Sequence, residues 1–307
     1  MSLEINQIKL SKSHELKMMK EIPEQFTMET NARSQNVTLK VCIDVILLSI
    51  FASFLALFYH YLTPYRRGFF CDDESILYPK RQETISDQKL WCISVLVPVA
   101  LIVLTEAYRY YRKTDVTQDN DIYFLGWKVP FMYQRVYVYT GIFLFGIIMA
   151  ELVANYMKIL IGRFRPSFLV MCKPDFNCSN AEYPHFYVEN FSCTNKDLDD
   201  EEDLRKSFPS GHSSVSTFAM LYVALYLQKR LEITTSFLVK PFIQLLLLML
   251  AVFICFSRIR DYKHHWDDVA AGFILGFTIC LVMIFTQTDL FKKQTQNNIE
   301  ITKGSQT

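Results

Sequence analysis

Six long apolar stretches, separated by polar segments, are the strongest pattern in the chain. A helix needs about 20 apolar residues to cross a hydrocarbon core of about 30 Å, and most of the stretches are close to that length. A buried core helix would explain any one of them, but six together with polar connections favour membrane helices. The pattern therefore predicts an all-α polytopic membrane protein with six transmembrane helices, at Val41–Leu62, Leu90–Tyr108, Val136–Met157, Ser213–Leu227, Phe237–Phe256 and Val269–Thr286.

The fourth stretch is shorter than the others and rich in hydroxyl groups, among them Ser213, Ser214 and Thr217. Such hydroxyls can hydrogen-bond to carbonyl groups of their own helix, so side chains of this kind are tolerated within a membrane. We therefore expect this stretch to span the membrane like the other five.

The two ends of the chain are polar and charged. Residues 1–39 have no short apolar region followed by small residues, so they do not resemble a signal peptide. Residues 287–307 are equally polar. The expected organisation is a flexible cytoplasmic tail at 1–39, a membrane domain at 40–286 and a second cytoplasmic tail at 287–307.

Composition and charge remove several classes of protein. Of the 307 residues, 51% are hydrophobic and 15% aromatic, and the net charge is +1. That apolar content excludes disorder along the whole chain, and the near-neutral charge argues against nucleic acid as the main partner. Eight Cys are too few for a disulfide scaffold, and none forms the Cys-x-x-Cys pair typical of zinc sites.

The loops indicate which face of the membrane is which. With six spans, loops one, three and five share a face, and Lys and Arg are divided too evenly to assign it. The third loop carries glycosylation sequons at Asn177 and Asn190. The first and third loops also hold four cysteines whose pairing the sequence leaves open, at Cys71, Cys172, Cys178 and Cys193. Sequons and cysteines are typical of an extracellular or luminal environment, and we expect the odd loops there.

The first of three charged clusters closes the third span and reads KILIGRFRP at 158–166. Lys158 and Arg165 are seven residues apart, which is about two helical turns, so they face the same way. Two cations on one face beside lipid are costly unless an anion lies between them. Snorkelling toward lipid headgroups is the alternative. Glu151, seven residues before Lys158, is expected to form an internal ion pair or a helix contact.

The second cluster opens the fourth span and reads FPSGH at 208–212. Ser210 and Gly211 at a helix start leave backbone N–H groups free to bind an anion. Gly211 lets the backbone approach a ligand closely, and His212 titrates near neutral pH. The alternative is a capping serine with an incidental histidine.

The third cluster opens the sixth span and reads SRIRDYKHHWDD at 257–268. His264 and Asp268 are four residues apart, so on a helix the carboxylate can accept a hydrogen bond from the imidazole. That bond would leave the other ring nitrogen free to attack a substrate. His265 with Asp268, three residues apart, is an alternative pairing, and a purely structural His–Asp pair is another.

Together the clusters supply at least three fixed cations, a helix N-terminus and two histidines at one membrane face. This combination suits phosphoryl transfer, because charge on the phosphate oxygens must be held while one group attacks and another protonates the leaving oxygen. The sequence therefore predicts a phosphoryl-transfer site.

The chain resembles the type 2 phosphatidic acid phosphatase superfamily. The signature of that family is Lys, six residues, Arg-Pro; then Pro-Ser-Gly-His; then Ser-Arg, five residues, His, three residues, Asp. All eleven specified positions match, within 158–166, 209–212 and 257–268. The stretches RGFFCDDESILYP at 67–79 and SRIRDYKHHWDDVAAG at 257–272 resemble the lipid phosphate phosphatase subfamily in particular. The resemblance covers about residues 40–285.

The resemblance implies a role for each signature residue. His264 would be the nucleophile that forms a phosphohistidine, and Asp268 would orient it. His212 would be the general acid that protonates the departing alkoxide. The phosphate would be held by Lys158, Arg165, Arg258, Ser210 and Gly211. No metal is implied, so the expected activity is independent of Mg²⁺.

The implied substrates are phosphatidate, lysophosphatidate, sphingosine 1-phosphate and ceramide 1-phosphate. The implied location is the plasma membrane with an outward-facing site, with the lumen of the endoplasmic reticulum or Golgi as the alternative. A homo-oligomer is compatible with the family. The tails identify neither the compartment nor the preferred lipid.

Four other functions fit part of the pattern. A glucose-6-phosphatase-like enzyme and a polyprenyl-diphosphate phosphatase share the signature, but residues 67–79 favour lipid monoesters. A catalytically silent relative that binds lipid or protein partners would lack signature residues, and here all are present. A transporter would place its charged groups at the membrane midplane rather than at one face.

Overall fold

The computed structural model describes residues 35–113, 122–178, 185–196 and 201–291. Both predicted tails lie largely outside these ranges. Within them the chain is mostly helical, with seven α-helices and a few short strands. The helices are α1 (Thr38–Tyr61), α2 (Asp87–Tyr111), α3 (Phe131–Ile161), α4 (Phe168–Cys172), α5 (Gly211–Arg230), α6 (Val239–Arg260) and α7 (Trp266–Gln287). Helix α2 contains a π-helical segment at Cys92–Leu96, and α7 ends in another at Met283–Gln287.

Five of these helices, α1, α2, α3, α6 and α7, are long and apolar enough to cross a membrane. They coincide with five of the six predicted stretches. The fourth stretch falls on α5, which is 20 residues long but is not apolar enough to be counted with them. Its hydroxyl-rich first half lowers its hydropathy. The prediction of a polytopic helical protein is confirmed, while the sixth span stays a prediction.

Helix α5 occupies the centre of the bundle, where it packs against α2, α3, α6 and α7. Most of its residues are buried, including the serines of its first turns. Aromatic side chains fill the space between α5 and α3: Phe218 stacks on Phe143, and the Tyr222 hydroxyl donates a hydrogen bond to the Tyr139 carbonyl oxygen at 2.9 Å. A helix enclosed in this way needs no apolar surface for lipid, which explains its polar composition.

Helix α7 lies against α5 with almost no space between their backbones. A Cβ atom added at Gly272 would lie 2.3 Å from the Ser210 carbonyl oxygen, and one at Gly276 would lie 2.2 Å from that of Ser214. Only glycine fits at such distances. The contact holds the start of α7 beside the start of α5, and so brings the second and third charged clusters together.

Helix α1 is the most peripheral of the long helices and packs mainly on α3. Phe51 of α1 meets Phe145 of α3 edge to face. Many of its apolar side chains are exposed, among them Ile46, Ile50 and Phe54. Exposed apolar side chains on a long helix are expected where the solvent is lipid rather than water.

Short strands lie at the two ends of the bundle. At one end β1 (Gln35–Asn36) pairs in parallel with β3 (Ile122–Phe124), which pairs antiparallel with β4 (Trp127–Val129). At the other end β2 (Phe69–Phe70) pairs antiparallel with β5 (Tyr187–Val188), with Phe69 opposite Val188. The second pair joins the first and third predicted loops.

The first and third loops form one cap with its own small core. Two disulfides hold it, Cys71–Cys178 between the loops and Cys172–Cys193 within the third. The sequence left this pairing open. The Arg205 guanidinium is buried against three aromatic rings, those of Phe164, Phe168 and Phe191. The cap therefore fixes the polypeptide on both sides of Arg165, the last cation of the first charged cluster.

Candidate active site

The three charged clusters meet at one cavity of about 660 Å³ at the capped end of the bundle. Five predicted site residues line it: Lys158, Arg165, His212, Arg258 and His264. They come from the end of α3, the loop after it, the start of α5, the end of α6 and the turn before α7. Because the helices are antiparallel neighbours, residues over 100 positions apart face one space.

His264 is buried, and one of its ring nitrogens is already engaged. Its Nδ1 lies 2.7 Å from the Ser207 carbonyl oxygen. A carbonyl oxygen can only accept a hydrogen bond, so Nδ1 carries the hydrogen and Nε2 keeps its lone pair. An imidazole fixed in this tautomer has a nucleophilic nitrogen available.

The protonation of His264 is governed by its surroundings. Burial lowers the pKa of its imidazole to about 3, assisted by the positive charges of Arg165 and Arg258 and opposed by Asp268. The ring is therefore neutral between pH 5 and 8. A neutral ring is the form that can attack phosphorus.

Asp268 is fully buried and binds several groups other than His264. Its Oδ2 accepts hydrogen bonds from Ser207 Oγ at 2.6 Å and from the His265 backbone N–H at 2.9 Å, and its Oδ1 accepts one from Arg163 at 2.7 Å. The His264 Nδ1 is 3.8 Å from Oδ2, beyond hydrogen-bond reach. Asp268 therefore does not orient His264 by a direct hydrogen bond. The two residues are connected through Ser207, whose hydroxyl donates to Asp268 and whose carbonyl oxygen accepts from His264.

His265, the alternative partner of Asp268, has acceptors at both ring nitrogens. Its Nδ1 is 3.0 Å from Asp268 Oδ2, and its Nε2 is 3.2 Å from the Ser75 carbonyl oxygen. Neither nitrogen is left with a free lone pair facing a substrate. The geometry therefore favours His264 over His265 as the nucleophile, in agreement with the family spacing.

His212 begins α5 and is also held by a carbonyl group. Its Nε2 lies 3.1 Å from the Ile85 carbonyl oxygen, so Nε2 carries a hydrogen. Its Nδ1 is 3.7 Å from the Asp87 carboxylate. Burial and the nearby charge of Arg258 lower the pKa of this imidazole in the substrate-free site. A role as general acid therefore requires that the negative charge of a bound phosphate first restore the second ring proton.

The three signature cations of the cavity each have an acceptor in the substrate-free site. Arg165 Nη2 lies 2.5 Å from the Asp203 carboxylate, and its Nε donates to the Asp203 carbonyl oxygen at 2.8 Å. Burial would raise the pKa of Asp203, but the Arg165 and Lys158 charges outweigh it and hold that pKa below its usual value. Asp203 is therefore an anion that a phosphate could displace.

Lys158 and Arg258 are held in the same manner. Lys158 Nζ donates to Asn155 Oδ1 at 3.2 Å, and Asn155 in turn donates to Glu151 at 2.9 Å. Arg258 Nη1 donates to the Ile85 carbonyl oxygen at 2.9 Å, with Glu83 at 3.8 Å. The expected contact between Glu151 and Lys158 is thus made through Asn155.

Ser210 and Gly211 lie at the start of α5. Ser210 is the N-cap, and its Oγ accepts from the Ser213 backbone N–H at 3.4 Å and from the Ser213 hydroxyl at 3.0 Å. A Cβ atom added at Gly211 would lie 3.1 Å from Lys158 Nζ. Gly211 therefore adjoins the ammonium group directly, while Ser210 acts here as a helix cap.

Sequence reasoning missed several groups at the site. In the first loop these are Glu83, Ile85 and Asp87, which face Arg258 and His212. Ser207 and Arg163 were also missed, although they adjoin or lie inside the signature segments. The backbone carbonyls of Ile85 and Ser207 carry no side-chain signal, so only the fold could reveal them.

One group of three potential metal ligands lies beside the site, formed by His265, Asp267 and Asp268. The Arg163 guanidinium lies between the two carboxylates, 2.6 Å from Asp267 and 2.7 Å from Asp268. A cation in that position opposes the binding of a metal ion. Among the described residues we therefore assign no metal centre.

The predicted glycosylation sites are on the surface. Asn177 and Asn190 are both exposed in the third loop. Ser179 of the first sequon lies outside the described residues. Glycosylation stays a prediction, with accessible asparagines to support it.

Comparison with known proteins agrees with the resemblance. The PAP2 superfamily matches residues 139–292. Phospholipid phosphatase 1 of Rattus norvegicus is 38% identical over 248 residues, covering 80% of this chain and 83% of that protein. Phospholipid phosphatase 2 of Mus musculus is 35% identical, covering 75% and 79%. Phospholipid phosphatase 2 of Homo sapiens is 32% identical, covering 82% and 84%. No solved structure matches.

Proposed function

The chain belongs to the PAP2 superfamily, and we propose that it is an integral membrane phosphatase acting on lipid phosphate monoesters. Relatives named phospholipid phosphatase cover most of the chain. The observation that carries the proposal is the tautomer of His264. Its Nδ1 hydrogen is donated to the Ser207 carbonyl oxygen, which leaves Nε2 as a neutral nucleophile in a cavity whose lining includes Lys158, Arg165 and Arg258.

The first chemical step is attack of His264 Nε2 on phosphorus. A P–N bond forms, the bond from phosphorus to the lipid oxygen breaks, and His212 gives a proton to the departing alkoxide. Lys158, Arg165 and Arg258 hold the remaining phosphate oxygens, where charge develops. Protonation of a poor leaving group contributes about 10²- to 10⁴-fold in rate.

The second step releases phosphate. Water attacks the phosphohistidine, the P–N bond breaks, and His212 now takes a proton from the water. Each histidine ends in its starting state. Displacement of Asp203 from Arg165 on substrate binding provides the space and charge that the phosphate needs.

The substrates we propose are phosphatidate, lysophosphatidate, sphingosine 1-phosphate and ceramide 1-phosphate. All carry a phosphate monoester on a lipid that lies within the bilayer. The cavity suits them because Ala52, Leu55 and Ala56 of the peripheral helix α1 line one side of it. Apolar residues of a membrane helix on one wall and cations on the other match an amphipathic substrate.

We propose that catalysis needs no metal ion. The three cations supply the charge that Mg²⁺ supplies in many phosphoryl-transfer enzymes. Phosphate release is therefore expected to persist in excess chelator.

The proposed topology has six spans, with α5 as the fourth and the site at the extracellular or luminal face. The two disulfides between and within the odd loops support this orientation, because such bonds persist in oxidising compartments. Labelling at Asn190 or an introduced loop cysteine in intact cells tests it. Labelling only after permeabilisation of the plasma membrane would contradict an outward-facing site at the cell surface.

The decisive experiment is release of phosphate from short-chain phosphatidate by purified protein in detergent with excess chelator. His264→Ala is expected to lose on the order of 10⁴-fold or more in kcat, because it lacks the nucleophile. His185→Ala is the matched control, since His185 is an exposed histidine of the third loop and does not line the cavity. No release by folded wild-type protein from any of the four lipids would favour a silent, lipid-binding relative.

A further inference from the structure

Three consecutive residues of the first loop, Glu83 to Ile85, are each bound by a residue of the segment 258–263. Glu83 pairs with Lys263 Nζ at 2.7 Å. Thr84 is held by Asp261, and Ile85 accepts the hydrogen bond from Arg258. A loop held at three successive positions has a fixed backbone, so the direction of its carbonyl groups is fixed as well.

The strongest of these attachments is the pair of hydrogen bonds between Asp261 and Thr84. Thr84 donates its backbone N–H to Asp261 Oδ2 at 2.7 Å and its hydroxyl to Oδ1 at 2.9 Å. Asp261 is buried at the end of α6, with 4% of its surface exposed. A carboxylate that accepts two bonds from one residue fixes both the position and the orientation of that residue.

The residue after Thr84 presents its carbonyl oxygen to two groups of the site. Ile85 O lies 3.1 Å from His212 Nε2 and 2.9 Å from Arg258 Nη1. It is the one described hydrogen-bond acceptor of the His212 ring, and it therefore decides which nitrogen carries the fixed hydrogen.

We infer that Asp261 is a positioning residue for the general acid: by holding Thr84 it places the Ile85 carbonyl, which orients the His212 ring and the Arg258 guanidinium. Neither Asp261 nor Thr84 belongs to the family signature. The inference rests on the proposed function, because it assumes that His212 protonates the leaving group.

The shape of the contact, rather than the charge of Asp261, is what this role requires. In Asp261→Asn the amide oxygen can accept from the Thr84 N–H, and the amide nitrogen can donate to the Thr84 hydroxyl, which also accepts hydrogen bonds. Asp261→Ala removes both bonds. The two variants therefore separate positioning from electrostatics.

A comparison of two substrates with different leaving groups distinguishes a misplaced general acid from a general loss of structure. A lipid alkoxide is a poor leaving group and needs protonation, whereas a nitrophenolate leaves without it. The test measures kcat/KM on short-chain phosphatidate and on a nitrophenyl phosphate monoester that carries an alkyl chain on its ring. A misplaced acid slows the first substrate much more than the second.

We expect Asp261→Ala to lower kcat/KM for phosphatidate by about 10- to 100-fold, since misplacement by about 1 Å has effects of this size. The nitrophenyl ester should lose at least several-fold less, and Asp261→Asn should stay near wild type on both. Equal losses on the two substrates would overturn the inference. So would an Asn variant as slow as the Ala variant.

Thr84 provides a second pair of variants if Asp261→Ala does not fold. Thr84→Val keeps the backbone hydrogen bond and loses the hydroxyl one, while Thr84→Ser keeps both. The valine variant should show the same bias against phosphatidate, to a smaller degree. Identical kinetics for the two variants would overturn the inference.

His212→Ala identifies which idea has failed. If it loses activity equally on both substrates, the general-acid assignment in the proposed function is wrong. If it shows the leaving-group bias and the folded Asp261 and Thr84 variants do not, only the inference about positioning is wrong.

Discussion

Buried charges occur at both ends of the bundle, but they are arranged differently. At the end opposite the site, Glu106 is 2% exposed and accepts hydrogen bonds from Tyr226 at 2.6 Å and from Arg230 at 2.9 and 2.8 Å. Arg109 binds the Arg230 carbonyl oxygen and Glu232. Acids and bases there contact one another directly.

At the capped end, the cations are grouped around an open space of about 660 Å³. Arg258 has its nearest carboxylate only at 3.8 Å, and Lys158 donates to a neutral amide. The first arrangement neutralises charge within the protein, whereas at the cavity only Arg165 of the three signature cations contacts a carboxylate directly, that of Asp203. Burial of charge alone therefore does not identify a site; buried cations beside a cavity without a close carboxylate partner indicate one.

Among the variants that test this comparison, Arg165→Gln is expected to have the largest effect on catalysis. Arg165→Gln removes a donor to the phosphate oxygens, and we expect kcat/KM to fall by about 10²- to 10³-fold. The thermal unfolding temperature should change little, because the Asp203 carboxylate left behind is partly exposed. Kinetics and thermal unfolding in detergent measure the two effects. A large loss of stability with unchanged kinetics would place Arg165 with the structural charges.

Arg230 is expected to behave in the opposite way. Arg230→Met leaves the buried Glu106 carboxylate without its cation, which lowers the free energy of unfolding by about 3 to 5 kcal/mol. The kcat/KM of the folded fraction should equal that of wild type. Unfolding in detergent, followed beside phosphatidate hydrolysis, checks both statements.

Glu232→Gln is the control for Arg230→Met. Its side chain is 61% exposed, so its ion pair with Arg109 is screened by solvent. An effect below about 1 kcal/mol is expected. If Glu232→Gln and Arg230→Met were equally destabilising, burial would not be the cause.

The next prediction concerns how the stability of the protein depends on pH through His264, at the capped end. The pKa of His264 is about 3 when folded and near 6.5 when unfolded, so the unfolded chain binds more protons between these values. This group therefore makes stability rise as the pH increases from about 3 to 6.5, and its contribution is constant above that. His264→Ala should flatten the rise in unfolding temperature between pH 4.5 and 6.5. An unchanged slope would mean that His264 is already protonated in the folded protein.

Ser207→Ala has the smallest expected effect on catalysis. It removes the hydrogen bond to Asp268 but keeps the carbonyl group that holds His264. One such bond is worth about 1 kcal/mol, so kcat should fall roughly fivefold. A loss approaching that of His264→Ala would show that the Asp268–Ser207 bond is indispensable for the tautomer.

The sequence predicted the parts of the site that consist of side chains at fixed spacing. Helical periodicity and family spacing depend on which side chain stands at each position. They therefore predicted Lys158, Arg165, His212 and His264. Five of the six predicted spans coincide with helices long and apolar enough to cross a membrane, since apolar length is sufficient for that prediction.

The remaining features depend on tertiary structure. The hydrogen bonds that fix His212 and His264 go to backbone carbonyls, which every residue has. The pairing of Cys71 with Cys178 crosses 107 positions of the chain. The polar composition of α5 follows from its enclosure by four helices. A hydropathy pattern alone cannot distinguish a polar helix that is enclosed by protein from one that is exposed to water.

The close contact of Gly272 and Gly276 with α5 has a consequence for how this protein can vary. His264, the proposed nucleophile, precedes α7, and His212, the proposed acid, begins α5, so their separation depends on how near the two helix axes come. One methyl group at Gly276 would force the axes apart by about 1 Å, a displacement large enough to reduce turnover. Two glycines outside the cavity lining therefore set the distance between the two histidines, and a substitution there is expected to lower turnover through helix spacing alone.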